Sequence, residues 1–158
     1  MKRFFGAKPT NNKFGATKVV YDGIEFDSQY ERDRYIYLMD LQKKGEISQL
    51  RLKTRFTLIP PVTKMVPVEL KTKVKYVERV VEQNADYHND FTYIENGCYI
   101  CEEFKSEYTA KLADYILRRK LMVNKIYIHN LRNHGKWIFR EVVYFAKKKN
   151  LNVKITNK

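Results

Sequence analysis

Long hydrophobic runs, cysteine, glycine and proline are all scarce in this 158-residue chain, and each scarcity removes a class of protein. No stretch approaches the roughly 18 consecutive apolar residues that a membrane span requires. The opening MKRFFGAKPTNNKFG is basic but has no apolar centre, so no secretory signal is expected. Two cysteines, Cys98 and Cys101, do not make a disulfide framework, which fits a reducing cytoplasm. Six glycines and four prolines leave no Gly-rich phosphate loop, no low-complexity segment and no linker. Carboxylates, finally, are nearly missing from one end. Residues 109–158 carry 13 Lys/Arg against only Asp114 and Glu141, whereas residues 1–108 carry 18 against 16.

What is present suits one folded domain over 1–158, with a loose basic arm over about 1–12. Hydrophobic residues make up 44% and aromatics 14%, enough for a real core, and the 31% charged share suits a protein in water. The net charge of +13, concentrated in the last third, attracts polyanions through counterion release. Nucleic acid is the expected partner, and an acidic protein the alternative.

Periodicity gives the outline. ATKVVYDGIEF alternates about Asp22-Gly23, a tight-hairpin signal. A helix is predicted over about 28–44, capped by Asp27 or Ser28 and closed by Gly45. SQLRLKTRFTLIPP reads as one strand ending at a double proline, and a further strand falls near 74–82. YHNDFTYIENGCYICEEFKSEY reads as two strands about Asn96-Gly97. A long helix follows from Thr109 to Asn133, then strand KWIFREVVY, a short helix or turn at FAKKKN, and strand LNVKI. The fold class is α/β with a central mixed sheet flanked by helices.

On strands, alternate residues share a face, so Asp86, His88 and Asp90 lie together, as do Cys101, Glu103 and Lys105. Pairing through the Asn96-Gly97 turn brings Asp90 near Glu103 and Lys105. Two converging carboxylates invite a divalent cation, and a lysine beside them suits an attacking water and a phosphate. The same alternation also suits a solvated strand face with cross-strand Glu–Lys pairs.

Asp90, twelve residues, then Glu103-Phe104-Lys105 resembles the PD-(D/E)XK nuclease signature, with Asn89 where that motif prefers proline. NKFGATKVVYDGIEFDSQYERDRYIYLMDLQKKGEI, FTLIP, ADYHNDFTYIENG, EEFKSEYTAKLADYILRRKLM and WIFREVV together resemble a phage-borne family of uncharacterised proteins placed in that superfamily. The likeness runs from about Asn12 to Val143. It implies a restriction-endonuclease-like core and metal ligation by Asp90, Glu103 and the backbone carbonyl of Phe104. It implies Lys105 as the residue that positions the nucleophilic water. Glu31 would complete the metal shell, although Ser28-x-x-Glu31 is also a capping box. The implied cofactor is Mg²⁺, with Mn²⁺ as a substitute, and the implied location is the cytoplasm of a phage's bacterial host.

In this superfamily the helix after the Glu-x-Lys strand flanks the site, which makes Lys111, Arg118, Arg119 and Lys120 phosphate contacts. Tyr108 or Tyr115 would stack on an unpaired base or belong to the core. Lys147 to Lys149 form a second basic patch. The sequence reading is therefore a Mg²⁺-dependent endodeoxyribonuclease. Its small surface favours branched DNA such as Holliday junctions, and paired cuts favour a homodimer. A non-catalytic DNA-binding protein on the same fold, or an inhibitor of a host enzyme, is the rival. Cys98, Cys101, His129 and His134 superficially resemble a zinc site, but residues three apart on a strand face opposite ways.

Overall fold

A computed structural model describes residues 18–147 and 150–158. The described residues divide into two compact units, the first ending at Leu50 and the second beginning at Arg51. The expected basic arm over about 1–12 lies outside the described residues, as do Lys148 and Lys149.

In the first unit β1 (Val19–Tyr21) and β2 (Ile24–Phe26) pair antiparallel about Asp22-Gly23. Helix α1 (Gln29–Lys43) starts at Ser28, whose Oγ accepts from Glu31 N at 3.1 Å. Glu31 reaches back to accept from Asp27 N at 2.9 Å, so the capping box is complete. At the other end Glu46 N donates to Leu41 O and Gly45 N to Gln42 O, the paired bonds of a Schellman stop. Tyr35 and Leu38, one turn apart on α1, are buried, and Tyr35 packs on Phe26 at 5.2 Å. Strand β3 (Ile47–Leu52) straddles the division between units.

The expected single strand through SQLRLKTRFTLIPP is two. Lys53 takes a left-handed φ of 49°, which breaks the extended backbone before β4 (Arg55–Ile59). Strand β5 (Val62–Leu70) was not read from the sequence, because Pro67 and the exposed Lys64 and Glu69 interrupt its alternation. It pairs antiparallel with β6 (Lys73–Glu82), and no residue from 60 to 83 is buried. Strand β7 (Ala85–His88) returns to pair with β4.

Within the second unit the mixed sheet runs β11-β10-β9-β8. Strands β8 (Phe91–Glu95) and β9 (Cys98–Ser106) form the expected hairpin, turned at Asn96 (φ 50°) and Gly97 (φ 75°). A 3₁₀ turn (Thr109–Lys111) leads into α2 (Ala113–Asn133), and β10 (Trp137–Lys147) then runs parallel to β9. A parallel neighbour needs such a crossover. The FAKKKN segment is not a helix or turn over its described part: Phe145 to Lys147 continue β10, which pairs with β11 (Asn150–Asn157). The core gathers Tyr87, Cys101, Met122, Ile126 and Phe139. At the end of α2, Asn130 exchanges two hydrogen bonds with the Trp137 backbone, at 2.8 and 3.0 Å. Gly135 lies beneath this clasp, where a Cβ would sit 2.8 Å from Asn130 Oδ1. The architecture is thus α/β with a mixed sheet. No helix of the described residues is long and apolar enough to cross a membrane.

Candidate functional site

Asp90 does not stand on a strand as expected; it falls in the two-residue break between β7 and β8. Buried Asn89 makes that break possible. Its side-chain amide donates to Phe91 O and to Thr92 Oγ1, and its own N–H donates to Thr54 O at 3.3 Å. Lys53 N donates to Asp90 O at 3.1 Å, tying the same loop to the end of β3. The register that sets Phe91 opposite Glu102 leaves Asp90 level with Glu103. Asp90 Oδ2 then accepts from Phe104 N at 2.8 Å.

Three side chains converge here. Lys105 Nζ lies 3.2 Å from Asp90 Oδ2 and 2.5 Å from Glu103 Oε1, bridging two carboxylates that are themselves buried. Lys53 adds a second cation 3.5 Å from Asp90 Oδ1. Glu103 Oε2 is buried without a hydrogen bond of ordinary length, and the equally unpaired Tyr87 hydroxyl is near enough to favour its ionised form. Burial, then the charge of Asp90, push the Glu103 carboxyl up to about 7 against the pull of Lys105. Burial alone would lower the Lys105 ammonium, but Asp90 and Glu103 outweigh it and hold it above its ordinary value. Lys105 is therefore a fixed positive charge at neutral pH.

The alternation that put Glu103 here sends its neighbour to the opposite face. Fully buried Glu102 accepts from Tyr93 Oη at 2.6 Å, and Tyr93 in turn accepts from Arg140, which pairs with Glu95. Glu141 is the residue that sequence reasoning missed. It is the β10 partner of Glu103 in register, and it accepts from Tyr115 Oη (2.8 Å), Arg119 (2.6 Å) and Lys158 (2.5 Å). Burial would raise its pKa, but these donors outweigh burial and lower it. The only sequence signal was that it is one of two acids, with Asp114, in the basic last third.

The other expected site residues have surroundings of their own. Glu31 belongs to the first unit and its carboxylate is engaged at the α1 cap. Asp86, expected on the same face as Asp90, pairs with Arg55 at 2.6 Å on the β4–β7 ladder. Phe104 is buried and stacks on Tyr144 at 5.0 Å. Of the four helix-side cations, Arg119 turns to the sheet, while Arg118 and Lys120 are exposed and Lys111 pairs with Glu107. Tyr115 is a core residue whose ring lies 5.9 Å from Lys105 Nζ, and Tyr108 is exposed. Cys98 and Cys101 are free thiols, with Cys101 buried.

Asp90 and Glu103 supply hard oxygen donors of the kind Mg²⁺ prefers, and Glu103 Oε2 lacks a hydrogen bond of ordinary length. Among the described residues no group of three His, Cys, Asp or Glu side chains converges on one point, so any cation held here keeps other oxygens from backbone, water or phosphate. Mg²⁺ commonly binds through one or two carboxylates in that way. The residues fit the group.

No curated protein and no solved structure matches the chain. Residues 11–146 match the family described as protein of unknown function (DUF1064), and the chain belongs to that family.

Proposed function

We propose that this DUF1064 protein is a Mg²⁺-dependent endodeoxyribonuclease with a PD-(D/E)XK-type site formed by Asp90, Glu103 and Lys105. The observation that carries the reading is the meeting of two buried carboxylates about one lysine, with a carboxylate oxygen left over. Like charges so close are stable only beside cations, and Lys105 alone leaves Glu103 half satisfied. Asp90 and Glu103 would hold the cation, with the Phe104 carbonyl as a further ligand. When bound, it supplies Lewis-acid stabilisation of charge on the phosphate.

The remaining work falls to this chain. Lys105, held as an ammonium, cannot take a proton; it donates hydrogen bonds to the attacking water and to a phosphate oxygen. Asp90 and Glu103 would be committed to the cation, so the proton leaves to solvent as the water oxygen bonds to phosphorus. The bond from phosphorus to one ester oxygen breaks, and that oxygen takes a proton from solvent. The antiparallel β8–β9 hairpin followed by α2 and parallel β10 supports the same reading, because it carries the acids on adjoining backbone. Branched DNA is the favoured substrate, since the chain has little surface for reading a long sequence, and paired cuts across a junction call for a homodimer.

A labelled panel tests this: single strand, duplex, flap and four-way junction, each with Mg²⁺, Mn²⁺ or EDTA, beside Glu103→Ala. Metal-dependent cutting, strongest on the junction and lost in the variant, is expected. Binding without cutting under every metal, unchanged by Glu103→Ala, would leave a DNA-binding protein without this chemistry.

A further inference from the structure

The β5–β6 hairpin has no role in the site, yet it is the longest two-stranded ladder in the protein. Nine residues of β5 extend about 30 Å at roughly 3.3 Å per residue. Its register assigns each side chain to a face. Thr63 pairs with Val80, Met65 with Glu78, Pro67 with Tyr76 and Glu69 with Val74, so one face mixes apolar residues with two acids. Lys64 pairs with Arg79, Val66 with Val77, Val68 with Lys75 and Leu70 with Lys73. The second face therefore carries four cations, and its one acid, Glu82, stands opposite Val62 beyond the register shift at the base of the ladder.

Those cations are not explained by the fold. None of Lys64, Lys73, Lys75 and Arg79 has a side-chain hydrogen bond or ion pair among the described residues. Lys64 and Arg79 stand directly opposite each other, an arrangement that opposes pairing of the strands unless a counter-charge lies over it. By contrast Glu78, on the other face, is met by Thr63 Oγ1 at 2.6 Å. Along the regular part of the ladder, from Thr63 to Leu70, both acids, Glu69 and Glu78, lie on the other face.

We infer that the β5–β6 hairpin is a DNA-binding arm whose Lys64/Lys73/Lys75/Arg79 face lies along a duplex flanking the cleavage site. The inference rests on DNA being the substrate. A two-stranded ribbon fits the major groove, about 12 Å wide, and cations on its surface engage the phosphates on either side. Chain connectivity sets the distance. The arm springs from the β4–β7 ladder, whose last pair is Ile59 with Ala85, and Asp90 follows five residues later. Extended chain covers about 17 Å in that interval at most, or roughly half a turn of duplex. A scissile phosphate at Asp90 thus leaves the adjoining duplex within reach of the arm.

The test compares wild type with a variant carrying Lys64→Gln, Lys73→Gln, Lys75→Gln and Arg79→Gln. A charge-matched control loses Lys43, Lys44, Lys136 and Lys154 instead. Binding to a 30-base-pair duplex is read by fluorescence anisotropy in EDTA from 50 to 300 mM KCl. Four lost phosphate contacts at about 0.9 each should flatten the salt slope by about 3 to 4, against less than about 1 for the control. The arm variant should melt at or above wild type, because it buries nothing and loses a like-charge pair. Should the fourfold variant fail to fold, the pairs Lys64/Arg79 and Lys73/Lys75 each carry about half the change. Equal slopes for the arm and control variants would overturn the inference. Hydrolysis of bis(p-nitrophenyl) phosphate, too small to reach the arm, separates the two readings. It should be unchanged in the arm variant, and its absence in wild type would count against the nuclease while the binding result still decides the arm.

Discussion

Glu103 and Glu141 face each other in register on β9 and β10 yet are pushed in opposite directions. Glu141 has three donors to itself, whereas Glu103 shares Lys105 with Asp90 and leaves one oxygen without a hydrogen bond of ordinary length. Opposite pH behaviour follows. An unfolded Glu103 titrates near 4.5 and the folded one near about 7, so the native state holds this proton more tightly. Its contribution is full below pH 4.5 and is lost as the pH rises through 7, a fall on the order of 3 kcal/mol at most. In EDTA, Glu103→Gln is therefore expected to melt above wild type at pH 8 and to approach it near pH 4.5. Thermal melts across that range check this, and parallel curves would contradict it. Glu141→Gln should do the reverse. Its folded pKa is depressed, so its stabilisation is present above pH about 4.5 and disappears as the pH falls through the lowered value. At pH 7 the substitution should cost about 1–3 kcal/mol by urea unfolding, since Arg119 and Lys158 lose a shared acceptor.

At the scale of elements, the site depends on a break rather than on a strand. Asn89 holds it from within, so Asn89→Ala should cost about 1–3 kcal/mol and lower cleavage through displacement of Asp90. Unchanged melting and unchanged activity would show that the loop holds itself. The α1 cap gives a second check. Ser28→Ala should lose about 1 kcal/mol, whereas Glu31→Gln keeps an acceptor for Asp27 N and should stay within about 0.5 kcal/mol of wild type. These comparisons show which features were legible. Ser28, Gly45 and Asn96-Gly97 have local requirements that a sequence displays, and the elements they bound appear where expected. The left-handed turn at Lys53 carries no such mark, so β3 and β4 ran together. Strand β5 escaped because none of its residues is buried and only Val66 and Val68 are half-buried, which leaves little apolar alternation to read. Spacing put Asp90, Glu103 and Lys105 on one face but suited a solvated strand equally well, and it was the resemblance to a nuclease signature that singled them out; Lys53 and Glu141 come near them only through tertiary contacts.

Across the whole molecule, positive charge is uneven. The second unit carries 22 Lys/Arg against 11 Asp/Glu, and residues 1–50 carry 9 against 7. That surplus belongs to the unit that holds the small buried acidic centre, which would suit a long polyanion held by many contacts and cut at one. Duplex affinity in EDTA is expected to fall by at least about 10³-fold between 50 and 200 mM salt, as for proteins with six or more phosphate contacts. A nearly flat dependence would contradict nucleic acid as the partner. The most direct measurement is single-turnover cleavage of a four-way junction in Mg²⁺ by wild type, Asp90→Asn, Glu103→Gln and Lys105→Met. Cutting by wild type that stops in EDTA and falls by about 10²-fold or more in each variant, with junction binding retained, is the expected result. Equal cutting by all four proteins, or none by wild type with Mg²⁺ or Mn²⁺, would contradict it.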